Sequence, residues 1–336
     1  MEERSMRAFV TGGSGFVGRY LLAALKSRGE PARALARSPA AMSTVAAAGG
    51  EPFEGDLSDV DVLARGMRGC DTVFHSAALV KSWAPRAEYY EANVRGTERV
   101  LEAARAAGVK RFVHVSTEAV LADGTPLVKA NESWPLPERP IGDYPSTKNE
   151  SERRVLSVNS PDFTTVAVRP RLVWGLGDTS VLPQMVDAVR TRRFKWVGDG
   201  RYLSSTCHVV NCVEGMLLAA EKGRGGEAYF LTDGEPVVFR DFVTAMLKTQ
   251  GVDPGTSTIP YGLAAVVATV ADLVWGTFGL PGRPPLSRTE VLLIGREVTV
   301  SDEKARQELG YEGRMPRAMG LKEMEAAFQE KSSQAA

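Results

Sequence analysis

A glycine-rich turn near the amino terminus constrains the fold of this chain more than any other feature. The turn reads TGGSGFVG over residues 11–18, and it separates a short apolar run, 7–11, from an amphipathic segment, 16–28. Glycines spaced three apart permit a tight turn, close approach of a pyrophosphate, and packing of a helix on a strand. The pattern predicts a strand, a dinucleotide-binding turn and a helix, with contacts from Gly12, Gly13, Ser14, Gly15, Phe16, Val17 and Gly18.

Short apolar runs alternate with helical patterns through the first half of the chain. A long helix is predicted around residues 92–107, and further strands at 32–36, 51–54, 72–75, 111–116 and 165–169. Such alternation is typical of βαβ units around a parallel sheet. The predicted fold class is α/β: a doubly wound parallel (Rossmann) sheet with a smaller, mainly helical C-terminal substrate lobe.

Glycine, proline and tryptophan become more frequent after residue 169, and an apolar helix at 208–220 and a strand at 227–232 are expected to return to the main domain. The expected NAD(P)-binding domain comprises residues 1–170 and about 204–235. The expected substrate-binding lobe comprises about 171–203 and 236–330, and 331–336 is predicted to be a disordered tail.

Composition excludes several classes of function. The 336 residues include 41 basic and 41 acidic side chains, so the net charge gives no electrostatic reason to expect nucleic-acid binding. The three cysteines lack metal-type spacing, so no metal site is predicted and a reduced, cytoplasmic chain is the simplest interpretation. The first residues contain no apolar stretch of the kind found in signal peptides.

The second predicted strand ends without the carboxylate that usually binds the ribose hydroxyls of NAD. Arg37 stands there instead, and a guanidinium can pair with a 2′-phosphate. NADP(H) is therefore favoured, while NAD(H) stays open because Arg37 could be an ordinary surface charge. Further cofactor contacts are expected directly after the third and fourth strands, from Asp56, Leu57, Ala77 and Ala78.

Tyr144 and Lys148 stand four residues apart, which places them on one face of a helix. A neighbouring ammonium can lower the pKa of a phenol from about 10 toward the range in which it exchanges protons at neutral pH. Together with the glycine-rich turn, this pair predicts a protein that binds a nicotinamide cofactor and moves a hydride and a proton.

These motifs resemble the extended short-chain dehydrogenase/reductase superfamily over nearly the whole chain. The resemblance implies that Tyr144 is the general acid/base and that Lys148 contacts the nicotinamide ribose. It implies that Thr117, with Ser116 as the alternative, donates a hydrogen bond to the substrate oxygen. Motifs around two further positions imply cofactor contacts from Asn93 and Pro170.

Within the superfamily the chain looks most like the 3β-hydroxysteroid dehydrogenase family, whose bacterial members include sterol-4-carboxylate dehydrogenases and 2-alkyl-3-oxoalkanoate reductases. The segments that carry this resemblance are 169–178, 197–200, 208–211, 229–236 and 284–288. It implies an NAD(P)-dependent oxidoreductase that interconverts a secondary alcohol and a ketone on a large lipophilic substrate. Ala119 replaces the second carboxylate of the sugar dehydratases, which argues against sugar dehydration.

An apolar segment at 262–280 is predicted to form a buried or interfacial helix rather than a spanning one, because Asp272 interrupts it. Peripheral membrane contact through this segment is a hypothesis, as is a homodimer of the kind that the superfamily forms. Aromatic residues of the lobe either line an apolar substrate pocket or form the lobe's own core: Trp174, Trp196, Trp275 and Phe278.

Two alternatives remain at this point. A sugar-nucleotide epimerase of the same superfamily uses the same tyrosine and lysine but retains its NAD. A non-catalytic NADP-sensing protein on this fold is more distant, because such proteins can dispense with the pair that is intact here.

The Arg37→Glu variant tests the cofactor preference. Loss of a charge-assisted pair and gain of a repelling carboxylate should lower the ratio of kcat/KM for NADPH to that for NADH by roughly 10- to 100-fold. Steady-state kinetics with both cofactors measure this ratio. An unchanged ratio would mean that Arg37 is only a surface charge.

Overall fold

A computed structural model gives the structure of the chain and describes residues 6–81, 83–278, 280 and 282–335. Its strands, in chain order, are β1 Ala8–Thr11, β2 Ala32–Ala36, β3 Glu51–Glu54, β4 Thr72–His75, β5 Arg111–Val115, β6 Leu127–Ala130, β7 Thr164–Pro170, β8 Val173–Trp174, β9 Trp196–Val197, β10 Leu203–Ser204, β11 Cys207–His208, β12 Ala228–Leu231, β13 Val237–Val238, β14 Thr258–Ile259 and β15 Val298–Val300.

The α-helices, in chain order, are α1 Phe16–Ser27, α2 Pro39–Ala47, α3 Val60–Met67, α4 Arg86–Tyr89, α5 Gly96–Ala106, α6 Asp143–Ser157, α7 Leu182–Arg190, α8 Val209–Lys222, α9 Phe239–Lys248, α10 Tyr261–Phe278, α11 Arg288–Ile294, α12 Glu303–Leu309 and α13 Arg317–Ala335. A π-helical turn, Tyr90–Arg95, joins α4 to α5, and a 3-10 turn, Glu118–Leu121, follows β5.

Seven parallel strands form the central sheet in the order β12-β7-β5-β4-β1-β2-β3. The order reverses between β1 and β4, so the loops after these two strands diverge and leave a crevice at their carboxyl ends. All four residues of β1 and of β4 are buried, as expected for strands covered on both faces. The doubly wound sheet is confirmed, and the predicted strands agree with the observed ones to within one residue at each end.

Alternate residues of each strand pack against helices on opposite faces of the sheet. Val10 of β1 belongs to a cluster with Leu21 of α1 and Met216 of α8. Phe9, its neighbour, belongs to the opposite cluster with Leu63 of α3 and Val100 of α5. The two faces are therefore covered, and the carboxyl edge of the sheet is left for a ligand.

Beyond β7 the chain builds smaller elements. β13, β10, β15 and β6 form a mixed four-stranded sheet, and β11 and β9 each pair with one further strand. β12 and α8 return to the main sheet: β12 pairs with β7, and α8 packs on α1. The strand β6 comes from the first half of the chain but pairs with β15. The domain boundaries predicted from the sequence stay a proposal.

Two of the predicted pocket tryptophans lie in the interior of the second region. Trp174 and Trp196 are 1% and 2% exposed and share an apolar cluster with Phe239 and Phe242. Their indole N–H groups donate to Asp233 Oδ2 at 2.8 Å and to Gly255 O at 3.0 Å. Of the two interpretations given above, the lobe's own core is therefore correct for both residues.

Helix α10 lies on the surface with an apolar face in solvent. Its buried residues are the small Ala264, Ala268 and Ala271, whereas Val266 and Leu273 are 61% and 68% exposed. By length and composition α10 could cross a membrane, but only 17% of it is buried within the protein. The described part of the predicted 262–280 segment is thus interfacial rather than buried; residue 279 lies outside the described residues.

The carboxyl-terminal segment corrects one prediction. Helix α13 continues to Ala335, so the expected disorder from residue 331 is wrong for 331–335, and residue 336 lies outside the described residues. Strong helix formers such as Glu, Ala, Gln and Lys dominate this stretch, and Met324, which is 1% exposed, anchors the helix to the apolar cluster of the second region.

Candidate active site

The glycine-rich turn links β1 to α1 with little space to spare. Gly12 has φ +74°, and a Cβ on it would lie 2.7 Å from Ala77 N in the loop after β4. A Cβ on Gly18 would lie 2.1 Å from Gly12 O, and one on Gly13 would lie 2.7 Å from Ala34 Cβ of β2. These three glycines allow α1, the turn, β2 and the loop after β4 to pack closely together, because any side chain would push them apart.

Gly15 is different because it faces outward at the amino end of α1. The nearest atom to a Cβ on it would be Gly12 O at 3.2 Å, and the residue is exposed. Free amide N–H groups at the start of this 12-residue helix are suited to a phosphate. The turn therefore fits the pyrophosphate of a dinucleotide, with Ser14 and Val17 partly exposed beside it and Phe16 buried beneath.

The other predicted cofactor residues follow the carboxyl ends of neighbouring strands. Arg37 is exposed directly after β2, and Asp56 after β3 uses Oδ1 to accept from Ser58 N at 3.0 Å. Leu57 beside it is half-buried. Ala77 and Ala78 follow β4, where Ala77 N donates to Thr11 Oγ1 at 3.3 Å. Pro170 is the buried last residue of β7.

Asn93 lies in the π-helical turn, and its side chain holds two segments together. Its Oδ1 accepts from Leu79 N at 2.7 Å, and its Nδ2 donates to Leu79 O at 3.3 Å and to Thr147 Oγ1 at 3.2 Å. The expected contact with the cofactor stays a prediction. In this geometry Asn93 would act through the loop after β4.

Tyr144 is the second residue of α6 and lies beside Thr117, which caps the 3-10 turn after β5. Burial, and then the charge of Glu118, raises the pKa of Tyr144 above its ordinary value, while its hydrogen bond with the Thr117 hydroxyl acts in the opposite direction. The lowering of this pKa that we expected from Lys148 is not the dominant effect. A phenol in this state is protonated at neutral pH.

Lys148 lies one turn further along α6 and is 2% exposed. Its Nζ donates to Val115 O of β5 at 2.7 Å and lies 3.4 Å from His114 Nε2. Burial lowers the pKa of Lys148 from 10.5 to about 8. Burial, followed by the charge of Lys148, lowers the pKa of His114 well below its ordinary value, so this histidine is neutral.

The two hydroxyls that end β5 have different surroundings. Thr117 Oγ1 donates to Glu118 Oε2 at 2.8 Å and accepts from Ala119 N at 3.3 Å. Ser116 N donates to Val168 O at 2.8 Å, whereas its Oγ is buried without a hydrogen-bond partner among the residues that the structure describes. Which of the two hydroxyls acts together with Tyr144 stays a prediction, with Thr117 as the first choice and Ser116 as the alternative.

Sequence reasoning missed three side chains around the phenol. Glu118 forms a buried ion pair with Arg171 at 3.1 Å. The ring of Tyr89 lies 6.4 Å from that of Tyr144, and its hydroxyl donates to Lys81 O at 2.5 Å. Glu118 directly follows Thr117, which was a usable signal, but nothing local in the sequence pairs it with a residue 53 positions later.

His75, at the end of β4, is a structural residue in this geometry. Its Nδ1 lies 2.7 Å from Thr11 Oγ1 and its Nε2 lies 2.9 Å from Thr97 Oγ1, so both ring nitrogens are satisfied. Burial lowers the pKa of His75 to about 3. A neutral imidazole with both ring nitrogens bonded holds β1, β4 and α5 together.

Comparison with known proteins supports the enzymatic interpretation. The chain is 55% identical over 316 residues to the 4-hydroxy-2-methyl-3-oxo-4-farnesyl-3,4-dihydroquinoline-1-oxide ketoreductase of Stigmatella aurantiaca, covering 94% of this chain and 95% of that protein. It is 33% identical to the 2-alkyl-3-oxoalkanoate reductase of Stenotrophomonas maltophilia, covering 96% and 99%. The crystal structure of gox2253 superposes with a TM-score of 0.78 at 30% identity, covering 97% and 98%.

A family match extends over the whole of the sheet and its crevice. Residues 9–261 match the 3-beta hydroxysteroid dehydrogenase/isomerase family, which includes β1 through β14 and every predicted catalytic residue. This match confirms the resemblance noted in the sequence. The chain therefore belongs to the 3-beta hydroxysteroid dehydrogenase/isomerase family and is a nicotinamide-dependent oxidoreductase of alcohol and ketone groups.

Proposed function

We propose that this protein reduces a ketone on a large lipophilic molecule and that NADPH is its reductant. The observation that carries the proposal is the arrangement at the amino end of α6, where the helix packs against the 3-10 turn that Thr117 caps and Tyr144 lies one turn before the buried Lys148. A protonated phenol suits the reductive direction, because reduction needs a proton donor at the carbonyl oxygen.

The residues divide the chemistry in a simple way. The bound nicotinamide cofactor would supply the hydride to the carbonyl carbon. Tyr144 would donate its proton to the carbonyl oxygen. The Thr117 hydroxyl already donates to Glu118, so it would help to position the phenol rather than donate to the carbonyl oxygen. The lysine ammonium, fixed on Val115 O, would face the ribose side of the crevice and support reprotonation of the phenol.

The names of two relatives suggest the order in which substrate classes should be tested. A ketone of a ring that carries an isoprenoid or alkyl chain is the first class to test, because the 55%-identical relative is named for a farnesylated ring ketone. The 33%-identical relative is named for 2-alkyl-3-oxoalkanoates, so β-keto acids are the second class, and sterols are the third.

Two helices of the second region, α10 and α11, lie next to the site. Thr289 of α11 lies against Gly142, two residues before Tyr144, since a Cβ on that glycine would be 2.3 Å from Thr289 Oγ1. Asp272 of α10 accepts at Oδ2 from Arg288 N at 3.0 Å and so ties α10 to α11. We propose that the exposed apolar face of α10 contacts a bilayer. The cytoplasmic enzyme would then take its substrate from the bilayer. A homodimer stays a prediction.

The Tyr144→Phe variant tests the role of the phenol. Loss of the proton donor should lower kcat by roughly 10²- to 10⁴-fold with little change in the Kd for NADPH. Turnover is followed by nicotinamide absorbance and the Kd by fluorescence titration. Tyr90→Phe is the control, because it removes a phenol that bonds Glu150 Oε1 at 3.2 Å. A defect mainly in NADPH affinity would contradict the assignment.

The Lys148→Met variant tests the buried ammonium. Its pKa of about 8 in the folded protein lies below its ordinary value of 10.5, so the folded state carries a penalty below pH 8 that disappears as the pH rises through this window. The stability of the natural protein relative to the variant should therefore rise by about 3 kcal/mol between pH 8 and 10.5.

Denaturant unfolding at several pH values measures this difference. Lys110→Met is the control, because Lys110 is exposed and its ammonium stays in water before and after unfolding. A difference between the natural protein and Lys148→Met that stays constant with pH would show that Lys148 is not buried as a charge.

Replacement of two apolar residues tests membrane contact. A Val266→Glu, Leu273→Glu double variant places charges on the exposed face of α10 and should weaken co-flotation with phosphatidylcholine liposomes at least about tenfold. Met319→Glu is the control, because Met319 is 56% exposed on α13. Failure of the natural protein to float with the liposomes would end the proposal of membrane contact.

A further inference from the structure

A buried carboxylate stands directly behind the proposed catalytic hydroxyl. Glu118 is 2% exposed, and its two oxygens have separate partners. Oε2 accepts from Thr117 Oγ1 at 2.8 Å, and Oε1 pairs with Arg171 Nη1 at 3.1 Å. The single hydroxyl proton of Thr117 therefore points at Glu118, and the threonine oxygen accepts from Ala119 N at 3.3 Å.

Arg171 extends this chain of contacts to the second region. It is 4% exposed, and its Nη2 donates to Leu293 O at 2.6 Å, at the carboxyl end of α11. A cation at this end of a helix is favourable, because the last carbonyls carry partial negative charge. The amino end of the same helix begins at the capping residue Ser287 and lies against Gly142.

We propose that Glu118 and Arg171 are positioning residues: Glu118 fixes the Thr117 hydroxyl and places a buried negative charge behind it, and Arg171 fixes Glu118 to helix α11. The inference rests on the proposed ketone reduction. One buried network would then both hold helix α11 beside the site and influence the phenol of Tyr144.

The charge of Glu118 is placed to disfavour a phenolate, and it acts on Tyr144 in that direction. The other titratable groups around the phenol are Asp143 and Lys148 on α6 and Tyr89 on α4. Further out, on the two helices over the site, Asp272, Glu290 and Arg288 act on Tyr89 or on Asp143.

The experiment compares pH profiles of kcat/KM for ketone reduction and for alcohol oxidation, from about pH 6 to 10.5. In Glu118→Gln the amide keeps the shape but removes the charge. We expect the variant to lose reduction at high pH, and to reach the plateau of oxidation, at least about one pH unit below the natural protein, because a nearby unit negative charge has been removed.

Arg171→Lys separates the second part of the network. The ammonium keeps a positive charge beside Glu118 but cannot bond the carboxylate and Leu293 O together. We expect KM for the ketone to rise several-fold with kcat and the pH profile nearly unchanged. This variant also keeps the proposal testable if Glu118→Gln does not fold.

Asp302→Asn is the matched control, because Asp302 repeats the same arrangement away from the site. It accepts from Thr232 Oγ1 at 2.7 Å and pairs with Arg306 Nε at 2.9 Å. The control should lower stability without moving either pH profile.

The outcomes separate the two proposals. If the natural protein reduces no lipophilic ketone, the proposed function fails. If it does, and Glu118→Gln keeps the natural pH profile or Arg171→Lys keeps the natural KM, the corresponding role in the network is overturned.

Discussion

Burial of a polar helix face against the sheet is the constraint on which the site depends. Helix α6 turns Lys148, Asn149, Ser151 and Glu152 into the protein. Each charge or amide finds a partner: the lysine bonds Val115 O, Asn149 Nδ2 donates to Val120 O at 2.8 Å, and Glu152 pairs with the buried Arg169. Because an unpaired buried ion is very costly, this set of partners allows only one position of α6 along β5 and β7. Tyr144, at the start of the helix, is placed by the same contacts.

Parallel strand order brings the remaining parts to the same edge. The glycine-rich turn, the loop after β4 and the threonine after β5 each follow a central strand, so their residues converge although they are about 40 to 105 positions apart. Gly12 and Gly18 allow this convergence, because a Cβ on either would collide with backbone atoms. The cofactor side of the crevice is thus built from backbone, and the chemical side is built from α6 and the 3-10 turn.

The second region contributes shape and surface. Its own core contains Trp174 and Trp196, so of the two roles left open for these tryptophans, a substrate pocket or the core of the lobe, they have the second. The apolar side chains predicted for the segment 262–280 lie mainly on the surface, because α10 buries only three of its alanines. Hydrophobic content alone cannot distinguish these outcomes, since a core, a pocket and a lipid-facing surface use the same residues.

The sequence by itself determined the class of fold, the position of the seven main strands and the identity of the glycine-rich turn, Tyr144 and Lys148. These depend on local period and spacing, which neighbouring residues encode directly. Only the tertiary structure decided that Thr117 donates to Glu118, that Glu118 pairs with Arg171, and that His114 lies next to Lys148. It also decided the sign of the change in the pKa of Tyr144, because burial and the charge of Glu118 outweigh the lysine that the sequence places nearby. Such effects depend on distances between residues far apart in the chain and on the exclusion of water, and neither is written in a local pattern.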